Sequence, residues 1–158
     1  MKLYMRMVMF SVVLALFLMI SACGGGGSPT LTAGSSTLGI GSDGDSLNFK
    51  PNALTVSAGQ QVTITVKDNS SSLQHNWVLI NGDVNVARKV ATAGLTAGAD
   101  KGYLISDPAT IIAHSPLLSA GQTADVTFTA PAAGTYIFIC TVPAHFPQMQ
   151  GVLTVNEH

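Results

Sequence analysis

The densest chemistry in the chain lies near its C-terminus, in Cys140-Thr141-Val142-Pro143-Ala144-His145-Phe146-Pro147-Gln148-Met149. A thiol, an imidazole and a thioether follow one another there as C-x4-H-x3-M, between the end of one predicted strand and the start of the next. At that spacing all three can reach a common point from a single loop. Thiolate, imidazole and thioether make a soft donor set, which suits copper, whereas zinc takes four tight N, S or O donors and no thioether.

This loop supplies only one imidazole, and a trigonal copper site with a weak axial Met needs Cys and two His. The remaining histidines are His75, His114 and His158. His158 is the terminal residue, where chains fray. His114 falls in a stretch without strand alternation. His75 opens an apolar strand just after the loop from Asn69 to Gln74, at a sandwich end where loops cluster, and is the expected second imidazole. A site of this kind moves electrons singly, because its ligands accept both Cu(I) and Cu(II) with little rearrangement.

The elements that must position these residues read as β. Gln61 to Lys67 and Thr123 to Thr129 alternate polar and apolar residues, so each turns one face inward. Asn52–Val56, His75–Ile80, Thr135–Cys140 and Gln150–Val155 are further apolar runs bounded by Gly, Pro, Asn and Asp turns. Short strands so separated predict an all-β sandwich. The exception is an excursion at about 83–115, in which Val84 to Ala93 is suited to a short helix and Gly94 to Asp107 to a loop. Insertions of that length often cover a sheet edge or carry function.

Of the 158 residues, 47% are hydrophobic and 9% charged, which excludes a disordered chain. Seven Lys and Arg against eight Asp and Glu leave no basic footprint for nucleic acid. Residues 1–22 read as an export signal: Lys2 and Arg6 precede an apolar run from Met7 to Ile20, shorter than the roughly 20 residues of a membrane span. The run ends in Ile20-Ser21-Ala22-Cys23, which is similar to a bacterial lipobox with Ile where Leu is usual. Either Cys23 is acylated and becomes the mature N-terminus, or the segment is an ordinary secretory signal. Both readings export the protein. Residues 23–36 form a Gly/Ser-rich tether with a reach of roughly 20 Å, and residues 37–158 form the folded domain. Without residues 1–22 the chain keeps five basic and eight acidic side chains, a formal charge of −3.

Only Cys23 and Cys140 are available for a disulfide. If Cys23 carries lipid, Cys140 is left alone in an oxidising compartment, as a buried hydrophobe, a reactive thiol or a metal ligand.

Over about 120 residues from Thr37 the chain resembles the cupredoxins of the azurin/auracyanin family. The resemblance is carried by Leu47-Asn48-Phe49, His75-Asn76-Trp77-Val78-Leu79, Ala97-Gly98-Ala99-Asp100-Lys101-Gly102-Tyr103-Leu104, Ile112-Ala113-His114, Val126-Thr127-Phe128 and Tyr136 to His145. It implies a Greek-key β-sandwich holding one copper per chain. His75, Cys140 and His145 would be the equatorial ligands, Met149 the axial one, and the backbone carbonyl of Gln74 a weak further donor. Asn76 would tie the His75 strand to the ligand loop and set a backbone N–H near the sulfur. The disulfide that azurins carry has no counterpart here, so stability must come from packing, with a looser glycine-rich start to the domain. The lipobox and tether look more like a membrane-associated auracyanin than a freely soluble azurin.

The implied function is single-electron transfer by a monomer that is not an enzyme. It would sit lipid-anchored on the outer, periplasmic face of the cytoplasmic membrane, with no nucleic-acid partner. A quinol-oxidising complex would be the donor, and a reaction-centre cytochrome or terminal oxidase the acceptor. Val142, Pro143, Ala144, Phe146 and Pro147 would form an uncharged docking patch around the edge of His145, suited to brief contacts. Multi-copper oxidases need further His pairs and usually a His beside the Cys. Here Thr141 follows Cys140, and no His-x-His occurs. A binuclear centre would need a second Cys in the loop. An exported copper carrier or storage protein is the alternative, but five of the six Met lie in the signal and only Met149 remains.

Overall fold

The computed structural model describes residues 34–158; the expected signal peptide, Cys23 and the tether up to residue 33 lie outside the described residues. The order is β1 (Ser35–Asp43), β2 (Ser46–Lys50), β3 (Ala53–Ser57), β4 (Gln61–Lys67), β5 (Gln74–His75), β6 (Val78–Ile80), α1 (Val84–Ala97), β7 (Ile111–His114), β8 (Leu118–Ser119), β9 (Thr123–Thr129), β10 (Gly134–Ile139) and β11 (Gln150–Asn156).

Strands β4 and β9 fall on the two alternating runs, and their apolar side chains Val62, Ile64, Val66, Val126 and Phe128 are buried. On the outward face the Thr63 and Thr127 hydroxyls are 3.0 Å apart, and Thr65 donates to Asp125 at 2.7 Å. Cross-strand pairs of this kind hold the register, since a slip of one residue would turn the apolar face to water.

Two mixed sheets share one core. Their orders are β2-β1-β4-β9 and β3-β11-β10-β6-β7, with parallel pairs at β1/β4 and β3/β11. Ile40 and Ile64 from the first sheet and Leu79, Phe138 and Leu153 from the second meet in that core. Trp77 is fully buried there, its ring centroid 5.8 Å from Phe138 and 6.1 Å from Phe128, and Phe49 meets Phe138 edge-on at 5.4 Å. The expected all-β sandwich with a helical excursion is therefore observed.

Three local expectations change. The run His75–Ile80 is not one strand: β5 pairs with β8 in a separate two-stranded sheet, and β6 joins the five-stranded one. The ladder is interrupted at Asn76 and Trp77: the Trp77 N–H donates to the Ser115 hydroxyl instead of a strand, and the Asn76 side chain ties the segment to Thr141 and Gly102. The excursion also ends in structure, since β7 pairs with β6 as the sheet's last strand. Finally, α1 continues to Ala97. Asp83 caps its start by accepting from the N–H groups of Asn85 and Val86 at 3.0 and 3.1 Å. Gly94 lies inside the helix because the Tyr103 carbonyl occupies the place of a Cβ.

The glycine-rich start of the domain is integrated into the sheet: β1 begins at Ser35, two residues before the expected boundary, and pairs with β4 over seven positions. With no disulfide among the described residues, stability falls on the aromatic core. Truncating the fully buried Phe138 to Ala should cost about 3–5 kcal/mol, measured by guanidinium unfolding with the emission of the single Trp as the probe. A loss under about 1 kcal/mol would contradict the packing role.

Candidate metal centre

Cys140 directly follows β10 and is fully buried, as is Met149 directly before β11. Between them the loop folds back on itself. The Cys140 N–H donates to the Met149 carbonyl at 3.1 Å, the Met149 N–H to the His145 carbonyl at 2.8 Å, and the His145 N–H to the Val142 carbonyl at 3.1 Å. Ala144 takes a left-handed φ of 68°, which a non-glycine residue adopts only where its surroundings hold it. The short loop thereby turns the His145 ring back onto the sulfur, with Cys140 Sγ and His145 Nδ1 3.4 Å apart.

His75 comes from the other side, in the two-stranded sheet at the sandwich end. Its ring centroid lies 5.0 Å from that of His145, and it is 3% exposed. The link between the two sides is Asn76. Its side-chain carbonyl accepts the Thr141 N–H at 2.8 Å, and its amide donates to the Thr141 hydroxyl at 2.7 Å and the Gly102 carbonyl at 2.9 Å. The Thr141 hydroxyl in turn donates to the Tyr103 carbonyl at 2.7 Å. The expected tie between the His75 strand and the ligand loop is present, and it includes the excursion. Gln74 precedes His75 in β5, and its side chain faces Ser119 at 3.2 Å. His114 is exposed in β7, the last strand of the five-stranded sheet, with Nδ1 3.1 Å from the Ser115 carbonyl.

The electrostatics prepare these groups for a soft metal. Burial pushes the Cys140 thiol up to about 11, against backbone N–H groups of Asn76 and Val142 that favour the thiolate. Burial, reinforced by the neighbouring His75, lowers His145 to about 4 despite the opposing charge of Asp68. At neutral pH His145 thus presents a free lone pair. His75 Nε2 is buried without a hydrogen-bond partner, an expensive arrangement unless something binds it, while Nδ1 faces the buried Asp68 carboxylate at 3.0 Å. A free buried thiol, a neutral imidazole and an unsatisfied imidazole on converging segments fit one copper ion.

The loop surface is apolar: Pro143, Ala144 and Pro147 are exposed, and Val142 and Phe146 half-buried. His145 is 7% exposed, so its ring edge is nearly covered. One feature the sequence did not reveal is that α1 borders this surface. Ala91 and Leu95 share a cleft of about 110 Å³ with Val142, Pro143 and Phe146. Another is Asp68, a buried acid at the end of β4 that approaches His75; its only sequence signal is a lone charge after an alternating run.

A two-sheet sandwich with a buried cysteine against one histidine, a second buried histidine beside that one, and a buried Met closing the loop is the arrangement of a cupredoxin. Residues 36–156 match the family of copper binding proteins described as plastocyanin/azurin, and the chain belongs to that family. It is 50% identical to Auracyanin-A of Chloroflexus aurantiacus over 162 aligned positions, covering 99% of this chain and 100% of that one. Azurin of Pseudomonas fluorescens biotype C is 34% identical over 121 residues, 71% of this chain and 92% of that one. The solved structure of auracyanin A, a "blue" copper protein from the green thermophilic photosynthetic bacterium Chloroflexus aurantiacus, aligns with a TM-score of 0.75 at 55% identity, over 77% of this chain and 99% of that one. Within the family, then, this is an auracyanin- and azurin-like blue copper electron-transfer protein.

Because Cys140 holds its proton up to about pH 11, copper must displace it, and His145 has none to give above about pH 4. Apparent copper affinity should therefore rise about tenfold per pH unit from the Cys140 proton alone across the neutral range. A pH-stat following copper uptake by apo-protein at pH 8 should record its release. No release would contradict a protonated thiol.

Proposed function

We propose that His75, Cys140 and His145 hold the copper equatorially, with Met149 as the weak axial donor and the Gln74 carbonyl as a still weaker one. The observation that carries this reading is the approach of Cys140 Sγ to His145 Nδ1 at 3.4 Å, with the His75 ring, its Nε2 buried and partnerless, beside that of His145. Bound copper supplies a one-electron couple. The chain's own residues exclude water from it, hold the sulfur between two backbone N–H groups, and keep the donors in place through Asn76 and Thr141. Rigid donors of this kind keep rearrangement small when the charge changes by one.

The protein acts as a carrier of electrons between redox proteins and performs no catalysis of its own. Supporting the carrier reading, the loop surface around His145 is formed by the uncharged residues Val142, Pro143, Ala144, Phe146 and Pro147. Partners dock on Pro143, Ala144 and Pro147, flanked by Val142, Phe146 and Leu95 of α1, and leave quickly because such contacts are small. The donor is a quinol-oxidising membrane complex and the acceptor a reaction-centre cytochrome or terminal oxidase. Export, acylation of Cys23 and a tether before Ser35 would keep a monomeric domain at the outer face of the cytoplasmic membrane, within reach of both.

The test is the visible spectrum of the chain after addition of Cu(II). An intense band toward the red, bleached by ascorbate and restored by oxidant, is expected; a colourless copper complex would point to carriage or storage instead. Cys140→Ala should abolish the band and tight binding, since the sulfur is the charge-transfer donor. Met149→Leu should keep the colour and raise the reduction potential, because a donor that favours Cu(II) is lost. An unchanged potential would place Met149 outside the site.

A further inference from the structure

Asp68 is a carboxylate where a carboxylate is costly. It lies one residue beyond β4 and is 1% exposed. Its backbone is pinned on both sides, the N–H donating to the Gln122 carbonyl at 2.9 Å and the carbonyl accepting from the Gly121 N–H at 2.8 Å. One carboxylate oxygen, Oδ1, accepts from the Ser70 N–H at 2.9 Å and the Ser42 hydroxyl at 3.1 Å, and lies 3.0 Å from His75 Nδ1. The other oxygen, Oδ2, is buried without a partner. The surrounding backbone is shaped to leave the acid there: a Cβ on Gly41 would strike the Asn69 amide and the Lys67 carbonyl, so β1 passes close enough for Ser42 to reach Asp68.

Among the described residues the acid pairs with no Lys or Arg, only with the His75 ring. Among the described residues the ion pairs are Lys50 with Asp43, both on the surface, and Asp68 with His75. Asp45 is also near, but it is exposed and bonded to Ser71, where water screens it. Two hydrogen bonds do not neutralise a full buried charge. A cation held by His75 would face the Asp68 charge through a medium with little water between them.

We propose that Asp68 sets the reduction potential of the centre: its fixed charge, 3.0 Å from the His75 ring, favours the more positive Cu(II) state of copper held there. The inference rests on the blue copper reading given above and adds a potential-setting residue to it. Asp68 also positions the His75 ring, but a purely positional role would not move the potential when an isosteric neutral side chain takes its place.

The experiment is a spectroelectrochemical titration of the copper-loaded full chain against Asp68→Asn, which keeps an acceptor oxygen for Ser70 and Ser42 and removes the charge. The variant should stay blue, with the Cu(I) to Cu(II) ratio at a fixed potential raised about tenfold, or ~59 mV for a one-electron couple. A blue variant with an unchanged midpoint overturns the inference while leaving the copper site intact. A wild-type chain that takes up copper without colour fails the underlying reading, and this inference with it. Should the variant not fold, redox-difference infrared spectra of wild-type protein labelled with ¹³C-aspartate give an independent test. Ionised carboxylate bands should shift between the two copper states, and the absence of any aspartate signal overturns the proposal.

Discussion

The structure depends on one side chain, Asn76, joining three segments that are far apart in the chain. Its amide group makes three hydrogen bonds, two to Thr141 in the ligand loop and one to Gly102 in the excursion, all shorter than 3.0 Å. Thr141 passes the connection on to Tyr103. Buried polar groups of this kind cost about 1–3 kcal/mol each when left without a partner. The segments therefore gain little from moving singly and are held as a unit. Because Asn76 sits next to His75 and Thr141 next to Cys140, the same bonds fix the separation of an imidazole and a thiol from opposite sides of the site.

That arrangement explains why the excursion belongs to the domain. Helix α1 buries Ala87, Val90 and Gly94, and Gly94 is small because the Tyr103 carbonyl takes the place of its Cβ. The helix thus packs against the very segment whose carbonyls receive Asn76 and Thr141. Its Leu95, 54% exposed, continues the apolar surface of the ligand loop. The helix covers the β10-β6-β7 side of the sheet, where Ala87 and Val90 pack with Val78, Ile80, Ile111 and Ile139, and through Leu95 it also extends the apolar surface beside the ligand loop.

The electrostatics follow from the same burial. Charged residues are sparse, so each buried ionisable group is legible on its own terms. Cys140 is raised by burial and His145 lowered by it. Burial works to raise Asp68 as well, but its hydrogen bonds with Ser70 and the approach of His75 outweigh burial and hold it below the usual carboxylate range. The thiol waits protonated, the imidazole waits neutral, and the carboxylate keeps its charge. A metal that accepts soft donors resolves all three conditions at once.

Much of this was readable in the sequence, for a physical reason in each case. Alternation placed β4 and β9 residue for residue, because a strand with one buried face must alternate. The Cys140, His145 and Met149 spacing points to a metal loop because donors close in sequence need only a tight turn to converge, and Cys140 Sγ and His145 Nδ1 do come to 3.4 Å. The position of His75 after a loop, at a strand start, points to it as a second imidazole, and its ring lies beside that of His145. The split of His75–Ile80 into two strands was not readable, since every residue in that run is buried and alternation is silent. The strand at the end of the excursion, the packing of α1 on the ligand loop and the approach of Asp68 to His75 depend on residues distant in the chain. Local pattern determined the alternating strands and marked the candidate donors; tertiary packing alone decided which of them meet and which buried charge faces them.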